Sequence, residues 1–250
     1  MSVLANASAK HTAIGRIVAP PNVPPGFTLF YTTIDFDGRI DDRILGIVGN
    51  LATCRQVHGA TVIRASREPR GASGEPECDA IWSDQKNIAL AIKVADCLPV
   101  SIIDPRNSII ANIHSGWRGT VQGITAATLD AVPLDPSESF AFLGPSIRAC
   151  CFEVGEEVAA QFDARFIGRT LGPKPLVDII ALTIAVLRER GFADERIVDS
   201  GLCTRCGNEV AGLLGDSVAQ QPSNSATEQP LFHSYRRDKR SGRNLAIVAQ

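Results

Sequence analysis

Between Ile88 and Ile113 the chain runs through three short apolar stretches, Ile88–Val94, Leu98–Ile103 and Ser108–Ile113. Their length and β-branched content read as strands. The break between the second and third, Asp104-Pro105-Arg106-Asn107, has Asp and Pro in the first two positions of a β-turn. A hairpin is therefore expected here. Symmetric pairing about that turn predicts partners whose numbers total 211, which sets Cys97 opposite His114 with Cα atoms roughly 4.5–5.5 Å apart. The alternation agrees with this pairing. Leu98, Val100 and Ile102 share an apolar face with Ile109, Ala111 and Ile113. Cys97, Pro99 and Ser101 share a more polar face with Ile110, Asn112 and His114. A slip of one residue would mix the two faces.

A thiol beside an imidazole suits two chemistries, zinc ligation and a Cys–His nucleophilic pair. It also suits a buried cysteine next to a satisfied histidine. Gln56-Val57-His58-Gly59 offers another imidazole just before a strand. Alone, His58 reads as a structural or surface histidine. Together with Cys97 and His114 it makes three protein ligands and leaves a fourth position open, the arrangement of catalytic zinc. The chain has four histidines; the others are His11 and His233.

The rest of the chain supplies a setting. Residues 1–26 are polar and then Pro-rich, an expected flexible arm ahead of a single domain spanning 27–250. Strands are expected at Phe27–Thr33, Ala60–Ala65 and Asn244–Ala249. A weakly helical patch covers Ile40–Ala52, and helices are expected over Gly116–Ala131, Glu153–Arg165 and Leu176–Glu189, the last stopped by Gly191. Ser66–Glu77 and Gln220–Pro230 read as loops. Strands and helices mix without strict alternation, which predicts an α+β or mixed α/β fold.

Composition narrows the function classes. A formal net charge of −2 gives no reason to expect nucleic acid or an anionic membrane as partner. No apolar run approaches the roughly 18 residues of a membrane span. The first twenty residues lack a charged head followed by an apolar core, so no secretory leader is expected. Seven cysteines without an evident framework read as thiols in a reducing compartment, hence the cytoplasm.

Three further features have paired readings. His114-Ser115-Gly116-Trp117-Arg118-Gly119-Thr120 is either a glycine-eased turn into a helix or an anion site, with Arg118 on phosphate. Tyr235-Arg236-Arg237-Asp238-Lys239-Arg240 is either a solvated charge run or, if it lies near a metal, an anion site through Arg236. Cys203-Thr204-Arg205-Cys206 is a C-x-x-C, but the only companion pair, Cys150-Cys151, is adjacent. Adjacent cysteines fit a Cys₄ site poorly, so these four are expected to be structural thiols.

As an ordered set, QVHGATV at 56–62, ADCLPV at 95–100, HSGWRGT at 114–120, GPSIRACCFEVGEEV at 144–158 and SYRRDKRSGR at 234–243 resemble the YfiH/laccase-domain family. That family is also called multicopper polyphenol oxidase, peptidoglycan editing factor or purine nucleoside phosphorylase. The resemblance runs from about Phe27 to the C-terminus. It implies a mixed β-sheet core flanked by helices, distantly similar to the cytotoxic necrotizing factor catalytic domain. It implies a metal site on His58, Cys97 and His114, with zinc as the ion and copper as the alternative. It also implies phosphorolysis of adenosine, inosine, guanosine and methylthioadenosine, with adenosine deamination as a further activity. The partners are then a purine nucleoside and phosphate, and no protein partner is evident. Two departures stand out. The family's arginine and paired glycines after its first Thr-Thr are missing after Thr32-Thr33, where Arg39 is the candidate replacement. The Cys206–Phe232 segment is also longer than usual.

Within that reading Arg118 and Arg236 are the phosphate-binding candidates. Asp96, beside Cys97, is a candidate general acid/base or, preferably, a partner that orients a ligating histidine. The competing readings are a Cys–His or metal-dependent amide hydrolase acting on a peptidoglycan precursor, a copper-dependent polyphenol oxidase, and a non-enzymatic binding module. Multi-copper clusters need more histidines than the chain has.

Overall fold

A computed structural model describes residues 8–66, 75–169, 172, 174–207 and 230–250. The first half of the chain contains β1 (Ser8–Thr12), β2 (Gly15–Ala19), β3 (Thr28–Thr32), α1 (Asp42–Val48), β4 (Leu51–Ala52), β5 (Val62–Arg64), β6 (Ala80–Ser83), β7 (Ala89–Val94), β8 (Leu98–Asp104) and β9 (Ile109–Ser115). Then come α2 (Trp117–Val121), α3 (Ile124–Ala131), β10 (Phe140–Leu143), α4 (Glu156–Ala159), β11 (Ile167–Arg169), β12 (Pro175–Val177), α5 (Ile179–Glu189), β13 (Ile197–Asp199) and β14 (Asn244–Ala249). The fold is mixed α/β. One sheet runs β1-β2-β3-β14-β7-β4 and a second runs β13-β10-β8-β9-β6-β5; β11 and β12 form a separate ribbon. Among the described residues no helix is long and apolar enough to cross a membrane.

Period-two alternation assigns each strand face to a layer. Leu90, Ile92, Ala246 and Val248 of the first sheet meet Ile81, Ile103, Ile110 and Phe142 of the second, closing a core between the sheets. Their neighbours Ala89, Ala91, Leu245 and Ile247 face the other way and pack under Ile44 of α1. On the far side of the second sheet, Leu98, Val100, Ile102, Ala111 and Ile113 pack against Ile124 of α3 and Ile180 and Leu187 of α5. Both faces of β8 and β9 are therefore covered, which is why every residue of both strands is buried.

The β8–β9 hairpin forms in a register different from the symmetric one. Pro99, not Cys97, lies opposite His114, and Leu98 lies opposite Ser115. The two-residue connection expected from the sequence is replaced by a four-residue loop. Asp104 pairs with Ile109, its carboxylate accepts from the Arg106 and Asn107 N–H groups and from Asn107 Nδ2, and Ser108 takes φ 53°. The shift is two residues, so each side chain keeps the face expected of it.

Three other expectations change. Residues 8–19 are not a loose arm: they form a hairpin that adds β2 to β3, held by Arg16, whose N–H and guanidinium donate to both carboxylate oxygens of Asp35. The helix expected over Gly116–Ala131 is broken into α2 and α3 by Gly123, which sits at φ 79°, where glycine carries no steric penalty. The helix expected over Glu153–Arg165 shrinks to α4 and a 3₁₀ turn at Ala164–Phe166. The loop expected at Gln220–Pro230 lies, but for Pro230, outside the described residues, as does most of Ser66–Glu77.

Asn112 fastens the two sheets together. It is fully buried in the inter-sheet core; its Nδ2 donates to the Leu90 and Ala246 carbonyls at 3.1 and 2.8 Å, and its Oδ1 accepts from Ser101 Oγ. Asn112→Leu would take a donor from both carbonyls and the acceptor from the Ser101 hydroxyl in a dry interior. At roughly 1–3 kcal/mol for each such group, a loss on the order of 2–4 kcal/mol is expected. Urea unfolding should show a lower midpoint with an unchanged m-value. A midpoint equal to that of the parent would mean that Asn112 does not fasten the sheets.

Candidate metal centre

The side chains of His58, Cys97 and His114 come from three segments and meet at one point. Their ligand atoms all lie within 4.8 Å of one another. Cys97 Sγ is 4.0 Å from His58 Nε2, and the two imidazole rings stand edge to face with centroids 4.8 Å apart. His114 is 3% exposed, Cys97 is half-buried and His58 is exposed, so the cluster opens on the His58 side.

The decisive neighbour is one that sequence reasoning passed over. Asp79, just ahead of β6, has no exposed surface. Its Oδ2 accepts from the Val57 and Gly59 N–H groups at 3.2 and 2.7 Å, and its Oδ1 accepts from the His58 N–H at 2.9 Å. The same Oδ1 accepts from His114 Nδ1 at 2.8 Å. A proton fixed on Nδ1 leaves Nε2 of His114 as the basic nitrogen, the usual arrangement of a metal-binding imidazole. The three amides wrap His58 around the carboxylate at φ 60°, a strained conformation for a residue with a Cβ. Upstream, Gln56 makes two hydrogen bonds with the backbone of Lys93, which anchors the segment to β7.

Glycines set the spacing. A Cβ built on Gly116 would lie 3.0 Å from both Cys97 Sγ and His58 Cδ2, and one on Gly119 would lie 2.8 Å from the Gly59 carbonyl. Only residues without side chains let the strand-to-helix turn come this close to the three donors.

The electrostatics are mutual. Burial pushes the Cys97 thiol up, but its hydrogen bonds with His114 and His58 outweigh that and bring it down to about 6. Burial pushes His114 down, but Asp79 and Cys97 outweigh that and raise it to about 9. For Asp79 too burial acts upward, and the contact with His114 and the backbone amides holds it below the usual carboxylate range. Two imidazole nitrogens and a thiolate on a half-open face make a donor set suited to zinc or copper.

The other candidate residues are placed as follows. Asp96, at φ 90°, does not bond a ligand histidine. Its Oδ1 accepts from Thr204 Oγ1 at 2.7 Å and its Oδ2 from the Arg236 N–H at 2.6 Å. The histidine-orienting role expected of it belongs to Asp79. Arg118 is exposed and lies over the Trp117 ring at 4.3 Å; among the described residues it has no ion pair. Helix α2 behind it has only five residues, so its dipole adds little for an anion. Arg236 reaches back to the Glu153 carbonyl at 2.7 Å, so it neighbours the centre through Asp96. Arg39 is exposed and pairs with Asp37. Cys150, Cys151, Cys203 and Cys206 are not scattered thiols: their four sulfurs lie within 4.8 Å of one another.

A sequence model of the family described as multi-copper polyphenol oxidoreductase laccase matches residues 39–210. The chain belongs to this family, the YfiH/laccase-domain family. Purine nucleoside phosphorylase YfiH of Escherichia coli (strain K12) is 29% identical over 262 residues, covering 97% of this chain and 93% of its own. A purine nucleoside phosphorylase of Pseudomonas aeruginosa is 32% identical over 200 residues, covering 77% and 71%. The crystal structure of YlmD from Geobacillus stearothermophilus superposes with a TM-score of 0.78 at 22% identity, covering 98% of this chain and 99% of that one. The laccase-domain match takes in His58, Cys97, His114 and Asp79 alike.

Two outcomes are expected of this centre. Asp79→Asn turns an NH₂ group toward backbone N–H donors, so the His58 loop should loosen and zinc affinity should fall about 10- to 100-fold in a competition titration. Undiminished affinity would mean that Asp79 does not hold the ligands. The second outcome concerns pH. Between about 6 and about 9 the metal-free pair is thiolate and imidazolium. Binding must then expel the His114 proton, so affinity should rise by about tenfold per pH unit and level off above that range. Below it Cys97 also takes up a proton, and the dependence should steepen. A flat profile from pH 6 to 9 would remove His114 from the ligand set.

Proposed function

We propose that the chain is a zinc-dependent purine nucleoside phosphorylase acting on adenosine, inosine, guanosine and methylthioadenosine, with adenosine deamination as a second reaction. One observation carries the reading: His58, Cys97 and His114 converge on a half-open face, ordered by a buried carboxylate, in a chain that matches a protein named purine nucleoside phosphorylase over 93% of that protein's length. His58 and His114 would hold the ion through nitrogen and Cys97 through sulfur. A zinc ion held there supplies a Lewis acid.

The chain's own groups then divide the work. In phosphorolysis a phosphate oxygen attacks the anomeric carbon as the bond to the purine nitrogen breaks, giving the free base and ribose 1-phosphate. Phosphate needs a cation that is not already spent. Arg237 is spent, since its guanidinium donates to the Thr204, Arg205 and Phe232 carbonyls. Arg118 is braced on Trp117 two residues after Gly116, which touches the donor cluster, so its planar guanidinium is the group available to bind phosphate oxygens in pairs. Arg236 acts with Asp96 as a support for the Cys97 segment. A multi-copper oxidase centre does not fit the residues present: the chain has four histidines, and His233 is hydrogen-bonded at Nε2 to the Phe36 carbonyl.

Zinc-loaded protein given inosine and phosphate should release hypoxanthine and ribose 1-phosphate in a phosphate-dependent way, and His114→Ala should not. Absence of phosphate-dependent cleavage by the zinc-loaded parent would end the phosphorylase reading. Arg118→Ala should weaken adenine formation from adenosine roughly 10- to 100-fold, the loss of one charge-assisted contact. Inosine formation by deamination uses a neutral nucleophile and should fall less. Equal losses in both products with a lower melting temperature would reduce Arg118 to a structural brace.

A further inference from the structure

The second cluster of donors lies outside this centre. Cys150 and Cys151 sit on the tight turn after β10, where the Cys151 and Phe152 N–H groups both donate to the Arg148 carbonyl. Cys203 and Cys206 sit on the loop after β13. Strands β10 and β13 are parallel neighbours, and the segments leaving them stay together: Ser146 N–H donates to the Leu202 carbonyl and Thr204 N–H to the Ser146 carbonyl. The four Sγ atoms fall within 4.8 Å of one another, with Cys150 and Cys206 at 3.8 Å. Cys151 and Cys203 are buried, Cys150 and Cys206 half-buried.

Those spacings identify the kind of guest. Four sulfurs placed tetrahedrally at the zinc–thiolate distance of about 2.3 Å stand about 3.8 Å from each other. A disulfide between the adjacent pair is disfavoured, because Cα atoms about 3.8 Å apart lie below the range that disulfides span. The C-x-x-C loop turns as a metal knuckle would: Gly207 N–H donates to the Cys203 carbonyl and Gly207 takes φ 75°. Cations surround the cluster. Arg205 donates to the Cys151 carbonyl, and Arg237 donates to the Thr204 and Arg205 carbonyls. They would offset the net negative charge of a metal bound by four thiolates.

We propose that Cys150, Cys151, Cys203 and Cys206 form a closed tetrathiolate site for one zinc ion, separate from the His58–Cys97–His114 centre. Four protein ligands and no open position make it structural. It clamps the turn after β10 to the loop after β13. Through Thr204, whose hydroxyl donates to Asp96, it also steadies the segment that carries Cys97.

Elemental analysis and native mass spectrometry of the full chain, prepared reduced with zinc, should give two zinc ions per chain. His58→Ala/His114→Ala should keep one. Exchanged for cobalt in that variant, the retained ion should show the intense sulfur-to-cobalt charge transfer and tetrahedral ligand-field bands of four thiolates. Cys203→Ser/Cys206→Ser should also keep one ion, and its cobalt spectrum should show the weaker charge transfer of a single thiolate. Should that cysteine variant fail to fold, the histidine variant decides alone. A histidine variant that holds no metal overturns the proposal. So does reduced, zinc-treated protein whose intact mass shows disulfides among these four cysteines.

Discussion

Asp79 is a carboxylate with no exposure to water, and a buried charge is tolerated only when its lone pairs are filled. Filling them here takes four N–H groups: three consecutive backbone amides, from Val57 to Gly59, and His114 Nδ1. The same four bonds build the centre. The amides can converge only if the backbone curls around the carboxylate, which puts His58 at φ 60°. The imidazole can donate only with its proton on Nδ1, which turns Nε2 toward Cys97. The His114 backbone N–H also donates to the Asp79 carbonyl at 2.7 Å, so β9 and the start of β6 are joined at this residue twice. An unfilled buried acceptor costs about 1–3 kcal/mol, more when charged. The loop before β5, the start of β6 and the end of β9 are therefore held together by one energetic requirement.

How much of this could be read in advance depends on which features are local. Strand faces were legible because period two survives errors of two. The β8–β9 ladder is displaced by two residues, yet Ser101 and Asn112 still share one face and Leu98 and Val100 the opposite one. Cys97 and His114 lie close together, but not through the cross-strand pairing expected of them. Cys97 lies beyond the ladder, on the turn that Asp96 makes at φ 90°, and it reaches His114 from there. Asp79 gave no local signal, since an acidic residue ahead of a strand resembles any turn aspartate. Its role exists only because β6 lies beside β9. The N-terminal hairpin was missed for a related reason. Polar, Pro-rich composition describes an isolated segment, whereas residues 15–19 gain pairing with β3 and an ion pair with Asp35 from elsewhere in the chain.

The four clustered cysteines show the same limit more sharply. A parallel strand pair needs a long crossover between its members. The segment from Leu143 to Ile197 supplies one, with α4, the β11–β12 ribbon and α5 inside it. Side chains brought together by that pairing are more than fifty residues apart and carry no common period. Spacing rules for zinc sites are drawn mostly from ligands on local loops, and they counted an adjacent pair as unfit. The tight turn after Arg148 removes that objection, because it brings both neighbouring sulfurs into the same cluster.

Asp96 lies between the two cysteine-bearing regions, and its bonding decides what it can do. Both carboxylate oxygens of Asp96 accept hydrogen bonds, one from the Thr204 hydroxyl and the other from the Arg236 amide. The two contacts tie the carboxylate to the loop after β13 and to the segment ahead of β14. The Asp96 carbonyl is engaged as well, accepting from the Ile147 N–H at 2.8 Å. Its unfavourable φ is thus over-determined by three contacts from three segments, the usual condition for strain to persist in a folded chain. Asp96 therefore acts as a spacer. It fixes where Cys97 projects, as Asp79 fixes where His58 and His114 project. The two aspartates are alike in chemistry and in role, and neither needs to exchange a proton for the donor cluster to keep its shape.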